Sequence, residues 1–158
     1  MIEAPVDMDV TIAPITLEQV RQLRHLTLRA GRPFETTYWD GDEAPDTCHL
    51  GLRMAGRLVG IASLYLRPAP EREEKDAWQL RGMAVLPEHR GHGHGARLVE
   101  AAVAHVRSAG GRLVWCNARA HARRFYEHFG FNAKGERFDI PEIGPHFRME
   151  RRIDCGAE

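Results

Sequence analysis

Residues 9–15, DVTIAPI, alternate apolar and polar side chains, the period of a strand with one covered face. Thr16 and Gln19 then make a Thr-x-x-Gln capping box. Behind it Leu17, Val20, Leu23 and Thr27 recur at helical spacing, with Leu26 and Leu28 close to the same face. Gly31 and Pro33 end this helix. The stretch 32–47 reads as a polar loop with three buried aromatics, Phe34, Tyr38 and Trp39. Long loops inside compact domains are often binding loops, so this one is a candidate substrate rim. Two strands, 48–55 and 58–66, meet at Ala55-Gly56, a hairpin signal. The charged, proline-rich segment 67–76 reads as an exposed loop. Residues 77–86 form a strand with Trp78, Leu80 and Gly82 in alternation, and a glycine inside a strand marks a bulge or a close approach to the backbone. From Gly95 the period turns helical, with Leu98, Val99, Ala102, Val103 and Val106 in one stripe that Ala109-Gly110-Gly111 stops. A buried strand over 112–117, a short helix from Ala118 to Phe129 ended by Gly130, and strands near 131–138 and 146–153 complete the chain. The order β-α-β-β-β-α-β-α-β-β predicts an α/β layer protein around one sheet, a single domain over 1–158.

Composition narrows the class. A chain of 158 residues can bury about 70% of its unfolded surface in one core and needs no staple. Its 43% apolar and 28% charged residues fit a globular domain. A formal net charge of zero weighs against a nucleic-acid partner. Cys48, Cys116 and Cys155 are far apart, odd in number and form no Cys-x-x-Cys pair, which fits reduced thiols in the cytoplasm. The first residues show no basic flank before a long apolar core, and no run approaches the ~18 apolar residues of a spanning helix. Neither a secretory leader nor a membrane partner is therefore expected. No internal repeat is visible.

The segment 84–101, AVLPEHRGHGHGARLVEA, carries the chemistry. A metal is one reading of its histidines, but His89, His92 and His94 stand with no Cys or Asp and a single carboxylate, Glu88, so no metal is expected. A phosphate is the stronger reading. The loop follows a strand and opens a helix, where unpaired N–H groups and the positive end of the helix dipole attract anions. Its glycines let the backbone approach the oxygens, and Arg90 adds charge at the rim. The run GHGHGA also fits the dinucleotide fingerprint G-x-G-x-x-A, the basis of an oxidoreductase alternative. That fingerprint wants an acidic residue at the end of the next strand, where this chain has Cys116-Asn117. No Gly-Lys-Ser/Thr of a Walker loop occurs.

Arg90-Gly91-His92-Gly93-His94-Gly95, read as Arg-x-x-Gly-x-Gly directly after MAVLPEH, resembles the pyrophosphate-binding motif of the GNAT superfamily of acyl-CoA-dependent N-acyltransferases. The segment NARAHARRFYEHFGF at 117–131 is similar to that family's strand, short helix and tyrosine segment, and the ending PHFRMERR resembles a subset of bacterial members. The resemblance covers most of the chain and is strongest over 78–131. It implies a mixed, mostly antiparallel sheet with helices on both faces and two central strands, 77–86 and 112–117, splayed apart. It implies acetyl-CoA as co-substrate and a small-molecule or peptide amine as acceptor, with a homodimer common among members. In it, Met83, Ala84 and Val85 bond the cofactor through main chain, and one of their N–H groups polarises the thioester carbonyl. Arg90, Gly91, His92, Gly93, His94, Gly95 and Ala96 hold the pyrophosphate. Asn117 reaches the pantetheine or, equally, caps the following helix.

Tyr126 is the general acid by the same resemblance. A phenol and a thiol have ordinary pKa values near ~10 and ~8.5, so position must do much of the work. Phe125 and Phe129 share one face of their helix, and Tyr126 stands about 100° from it. The proton of the attacking ammonium needs a base, and histidine suits that task near neutral pH. His146, opening the last strand, is the first candidate. His49, with Asp42 or Glu43 as acidic neighbours, is the second, and water is a third. His121 and His128 read as solvated. Acceptor specificity in the family lies in the first helix, the loop after it and the final strands. Arg24, Arg29 and Arg32 there read as a solvated basic face, or else as favouring an acidic acceptor. A non-catalytic CoA-binding module is the further alternative.

Overall fold

The computed structural model describes residues 9–154; Cys155 and the stretch 1–8, on which part of the leader expectation rests, lie outside them. In chain order the elements are β1 (Val10–Pro14), α1 (Leu17–Thr27), β2 (Cys48–Met54), β3 (Arg57–Leu66), β4 (Ala77–Val85), α2 (His94–Ser108), β5 (Leu113–Arg119), α3 (Arg123–His128), β6 (Asn132–Ile140) and β7 (Gly144–Arg152). The strands form a seven-stranded sheet ordered β1-β2-β3-β4-β5-β7-β6. β1–β2, β2–β3, β5–β7 and β6–β7 pair antiparallel. The parallel ladder of β4 and β5 is short, joining Ala77, Trp78 and Gln79 to Leu113, Val114 and Trp115. No described helix is long and apolar enough to cross a membrane. The chain divides into two compact units: one runs through Leu64 and takes in Gly82–Ala102, the other comprises Tyr65–Arg81 and the chain from Val103.

In the first unit the local signals hold. The Thr16 amide donates to Gln19 Oε1 at 2.9 Å and the Gln19 amide to Thr16 Oγ1 at 3.1 Å, closing the capping box. Ala55 and Gly56 both take positive φ, +51° and +86°, the two-residue turn that matches strand twist. Leu98, Val99 and Ala102 are fully buried. Three expectations change. Arg24 belongs to no solvated face, being 0% exposed beside Val20 and Leu23 on the buried side of α1. Leu26 is 63% exposed. Of the three loop aromatics only Trp39 is buried, and Phe34 and Tyr38 stand out on a 3-10 turn and its end.

Trp39 explains the glycine inside β4. Gly82 has φ +71°, and a Cβ built on it would lie 2.6 Å from Trp39 Cζ3. An alanine there meets both a disfavoured backbone region and an indole edge. Gly82→Ala is expected to cost about 2–4 kcal/mol, combining the left-handed penalty with overpacking. The check is a lowered urea midpoint at unchanged slope.

In the second unit Ala69, Ala77, Leu113 and Trp115 cluster, and the Trp115 indole donates to the Arg67 carbonyl at 2.9 Å. The 67–76 loop is therefore anchored rather than merely solvated. Arg72 pairs with Glu150 at 3.2 Å and Glu74 with Arg152 at 2.7 Å. The helix expected from Ala118 starts later. Residues 118 and 119 stay in β5 because they pair with Phe147 and His146 of β7; a 3-10 turn follows, and α3 keeps six residues. A strand partner overrides the local helical preference.

Candidate active site

The glycine loop lies wholly in the first unit. After a 3-10 turn at Pro87–His89, Gly91 and Gly93 take φ +81° and +84°, and no atom lies within 4 Å of where their Cβ atoms would stand. Only glycine enters that region without penalty. α2 begins at His94, and its first turn leaves donors unpaired, as every helix must. The first amide to find a main-chain acceptor is Arg97, bonded to Gly93 at 3.2 Å; those of Gly91, His92, Gly93, His94, Gly95 and Ala96 donate to no other main-chain group among the described residues. Six successive donors at the positive end of a 15-residue helix are left available to an anion. Arg90 keeps its guanidinium at the rim by donating from Nε to the Val85 carbonyl at 3.0 Å. His94 is buried, and neither ring nitrogen has a hydrogen-bond partner among the described residues. Burial, followed by Arg97, His92 and His89 nearby, holds its pKa below the usual histidine value. The donor set is thus rich in N–H groups and poor in carboxylates, the chemistry a diphosphate needs. Met83, Ala84 and Val85 end β4 just before it, partly exposed.

His49 lies in the same unit inside a buried polar cluster. Arg24 Nη1 and Nη2 donate to Asp42 Oδ2 at 2.8 Å and Oδ1 at 3.1 Å, and Nη2 also donates to Ser63 Oγ at 3.0 Å. Ser63 Oγ lies 2.7 Å from His49 Nδ1, and His49 Nε2 lies 3.1 Å from the Asp42 carbonyl. A carbonyl only accepts, so Nε2 carries the proton, and the hydroxyl that accepts from Arg24 donates to Nδ1. Burial lowers the His49 pKa, so the ring is neutral and its one lone pair is already engaged.

In the second unit Asn117 is exposed and accepts from Arg148 Nε at 3.4 Å. Asn117 is thus a mid-ladder strand residue, paired with Arg148 of β7, and no cap hydrogen bond from it to α3 is formed. Tyr126 is the buried aromatic of α3, packed edge-on against Phe125 and Phe131 at 5.1 and 5.4 Å, while Phe125 and Phe129 are half-buried. Burial, reinforced by Cys116, pushes its phenol well above the ordinary tyrosine value. His146 is 4% exposed; its Nδ1 donates to the Gly144 carbonyl at 2.8 Å, which leaves the lone pair on Nε2. Phe138 lies 5.9 Å from its ring. His121 and His128 are exposed, on the 3-10 turn and on α3. Arg148 escaped the sequence reading. The signal for it was period two along β7, where His146, Arg148 and Glu150 fall on one face.

The mixed seven-stranded sheet with its helices is the architecture of solved acyltransferase structures that the chain resembles. Residues 17–131 match the acetyltransferase (GNAT) family, and the chain belongs to it. It is 35% identical over 142 residues to the uncharacterized N-acetyltransferase YitI of Bacillus subtilis (strain 168), covering 90% of this chain and 95% of that one. Among solved structures it resembles the ribosomal-protein-S18-alanine N-acetyltransferase of Escherichia coli, with TM-score 0.73, 20% identity, and 95% and 97% of the two chains covered. It also resembles an aminoglycoside 6'-N-acetyltransferase complexed with coenzyme A, with TM-score 0.69, 17% identity, and 94% and 99% covered. The protein is an N-acetyltransferase of this family.

Proposed function

We propose that the protein transfers the acetyl group of acetyl-CoA to a primary amine of a small molecule or peptide, by direct attack. The observation that carries this reading is the run of six unengaged amides over Gly91–Ala96 at the entrance of α2. Those amides, with Arg90, hold the pyrophosphate. Main-chain groups of Met83, Ala84 and Val85 hold the thioester arm, and Asn117 contacts the pantetheine. Bound acetyl-CoA supplies an acyl group already activated as a thioester. One strand amide stabilises the charge that develops on the carbonyl oxygen.

Proton handling falls to two side chains of the second unit. The amine gives up a proton as its nitrogen bonds to the carbonyl carbon. His146 accepts it at Nε2, the nitrogen that the Gly144 contact leaves with a lone pair. His49 is the weaker base, since Ser63 already occupies its lone pair. Tyr126 is the acid group at the departing sulfur, offering its phenolic proton as a hydrogen bond. Its raised pKa keeps that proton in place at working pH, and also makes full ionisation costly. The phenol therefore acts early in transfer, as a hydrogen-bond donor to developing sulfur charge.

Incubation with acetyl-CoA and a broad amine panel, with release of free thiol followed, tests the reading. Tyr126→Phe is expected to lower kcat about 10²-fold, with CoA affinity by calorimetry unchanged. CoA binding without turnover on any amine would point instead to a binding module; no CoA binding would end both readings.

A further inference from the structure

Arg148 is a half-buried residue whose guanidinium has no anionic partner among the described residues. Its Nε donates to Asn117 Oδ1 at 3.4 Å, and its centre lies 5.5 Å from the Trp115 ring centroid. Neither partner is charged, and the two terminal nitrogens have no hydrogen-bond partner among the described residues. Withdrawing a cation from water is costly unless a counter-charge or hydrogen bonds replace the lost hydration.

The ladders show what surrounds it. Asn117, Arg148 and Lys134 stand in one row across β5, β7 and β6, and Arg119, His146 and Phe138 in the next. Directly opposed residues project from the same face, so three cations and a histidine share this one. The row on the other side of Arg148 holds Trp115, Glu150 and Asn132. Its carboxylate, Glu150, is already bound by Arg72 at 3.2 and 3.4 Å. Glu136 and Arg137 lie in the bulge that interrupts β6 between Lys134 and Phe138, outside these rows.

We propose that this face binds the carboxylate of the acceptor, with the two terminal nitrogens of Arg148 taking its oxygens, so that the substrates are amines that also bear a carboxylate. The assignment rests on the reading of the chain as an amine acetyltransferase. His146 lies two residues away on the same face of β7, about 6.6–6.8 Å along the strand. A carboxylate receptor and a proton acceptor therefore stand side by side. That spacing suits an acceptor whose ammonium and carboxylate are a few bonds apart, as in an amino acid.

The test is calorimetric, on the full chain. Glutarate is titrated at constant ionic strength into wild type, Arg148→Gln and Arg148→Lys, and CoA is titrated separately into each. Arg148→Gln is expected to weaken glutarate binding roughly 10- to 100-fold, with Arg148→Lys in between, because a charge-assisted pair is lost or loses its fork geometry. CoA affinity and melting temperature are expected to hold. Undiminished glutarate binding in Arg148→Gln, or none in wild type, overturns the proposal. So does a loss of CoA affinity in that variant, which would move Arg148 to the cofactor. Inorganic phosphate binding more tightly than glutarate would assign the face to phosphorylated amines and overturn the carboxylate. Failure of wild type to bind CoA would remove the acetyltransferase reading while leaving the glutarate comparison standing.

Discussion

Gly93→Glu is expected to abolish measurable CoA binding while leaving the fold nearly intact. Gly93 sits at φ +84° in the middle of the amide run, and nothing lies within 4 Å of where its Cβ would be. The new Cβ therefore meets open space, and the main structural cost is the left-handed backbone, about 1–2 kcal/mol. Its electrostatic cost is larger. A carboxylate about 4 Å from one phosphate charge is opposed by roughly 4 kcal/mol at an effective dielectric of 20, before screening. The predicted loss in CoA affinity is at least about 100-fold. Gly93→Asn separates the two causes. Asparagine enters the left-handed region more readily than other side chains and carries no charge, so it should retain most of the affinity. Calorimetric titration of CoA into the three proteins, beside their melting temperatures, reads both effects. Wild-type affinity in Gly93→Glu would place the pyrophosphate away from residues 91–96.

What the sequence disclosed was what short segments decide for themselves. The Thr16–Gln19 box, the Ala55-Gly56 turn and the apolar stripe of α2 each depend on neighbours within a few residues, and each is present. The shape of the glycine loop was legible for the same reason, since the positive φ of Gly91 and Gly93 and the helix that opens at His94 are set by neighbouring residues. The misreadings share the opposite cause. Arg24 looks like a surface residue until Asp42, 18 positions away, and Ser63, 39 away, close around it. Residues 118 and 119 read as helical because their pairing with β7 is invisible locally. The 67–76 loop reads as solvated because its ion-pair partners, Glu150 and Arg152, lie 78 residues beyond Arg72 and Glu74. Arg148 was hidden for the same reason, being one of three arginines within 148–152 whose roles only strand register separates.

Arg24→Met is expected to destabilise the protein by about 3–5 kcal/mol, the range for removing one member of a buried ion pair. Both side chains of the Arg24–Asp42 pair are 0% exposed. Without the guanidinium, the Asp42 carboxylate keeps the Trp39 amide at 2.7 Å as a donor, but its charge has no buried counterpart in the pair. Ser63 Oγ loses the donor that orients its own proton toward His49. The guanidinium also lies 3.7 Å from the Trp39 ring centroid, so the indole loses the plane it rests on. Asp42→Asn should cost a similar amount, because it leaves Arg24 as the uncompensated charge. The double variant Arg24→Met/Asp42→Asn buries no lone charge, so its cost should fall short of the sum by roughly 1–3 kcal/mol. Urea unfolding of the four proteins measures that coupling. Simple additivity would mean that the pair holds neither partner in place, and that Trp39 owes its position against Gly82 to packing alone.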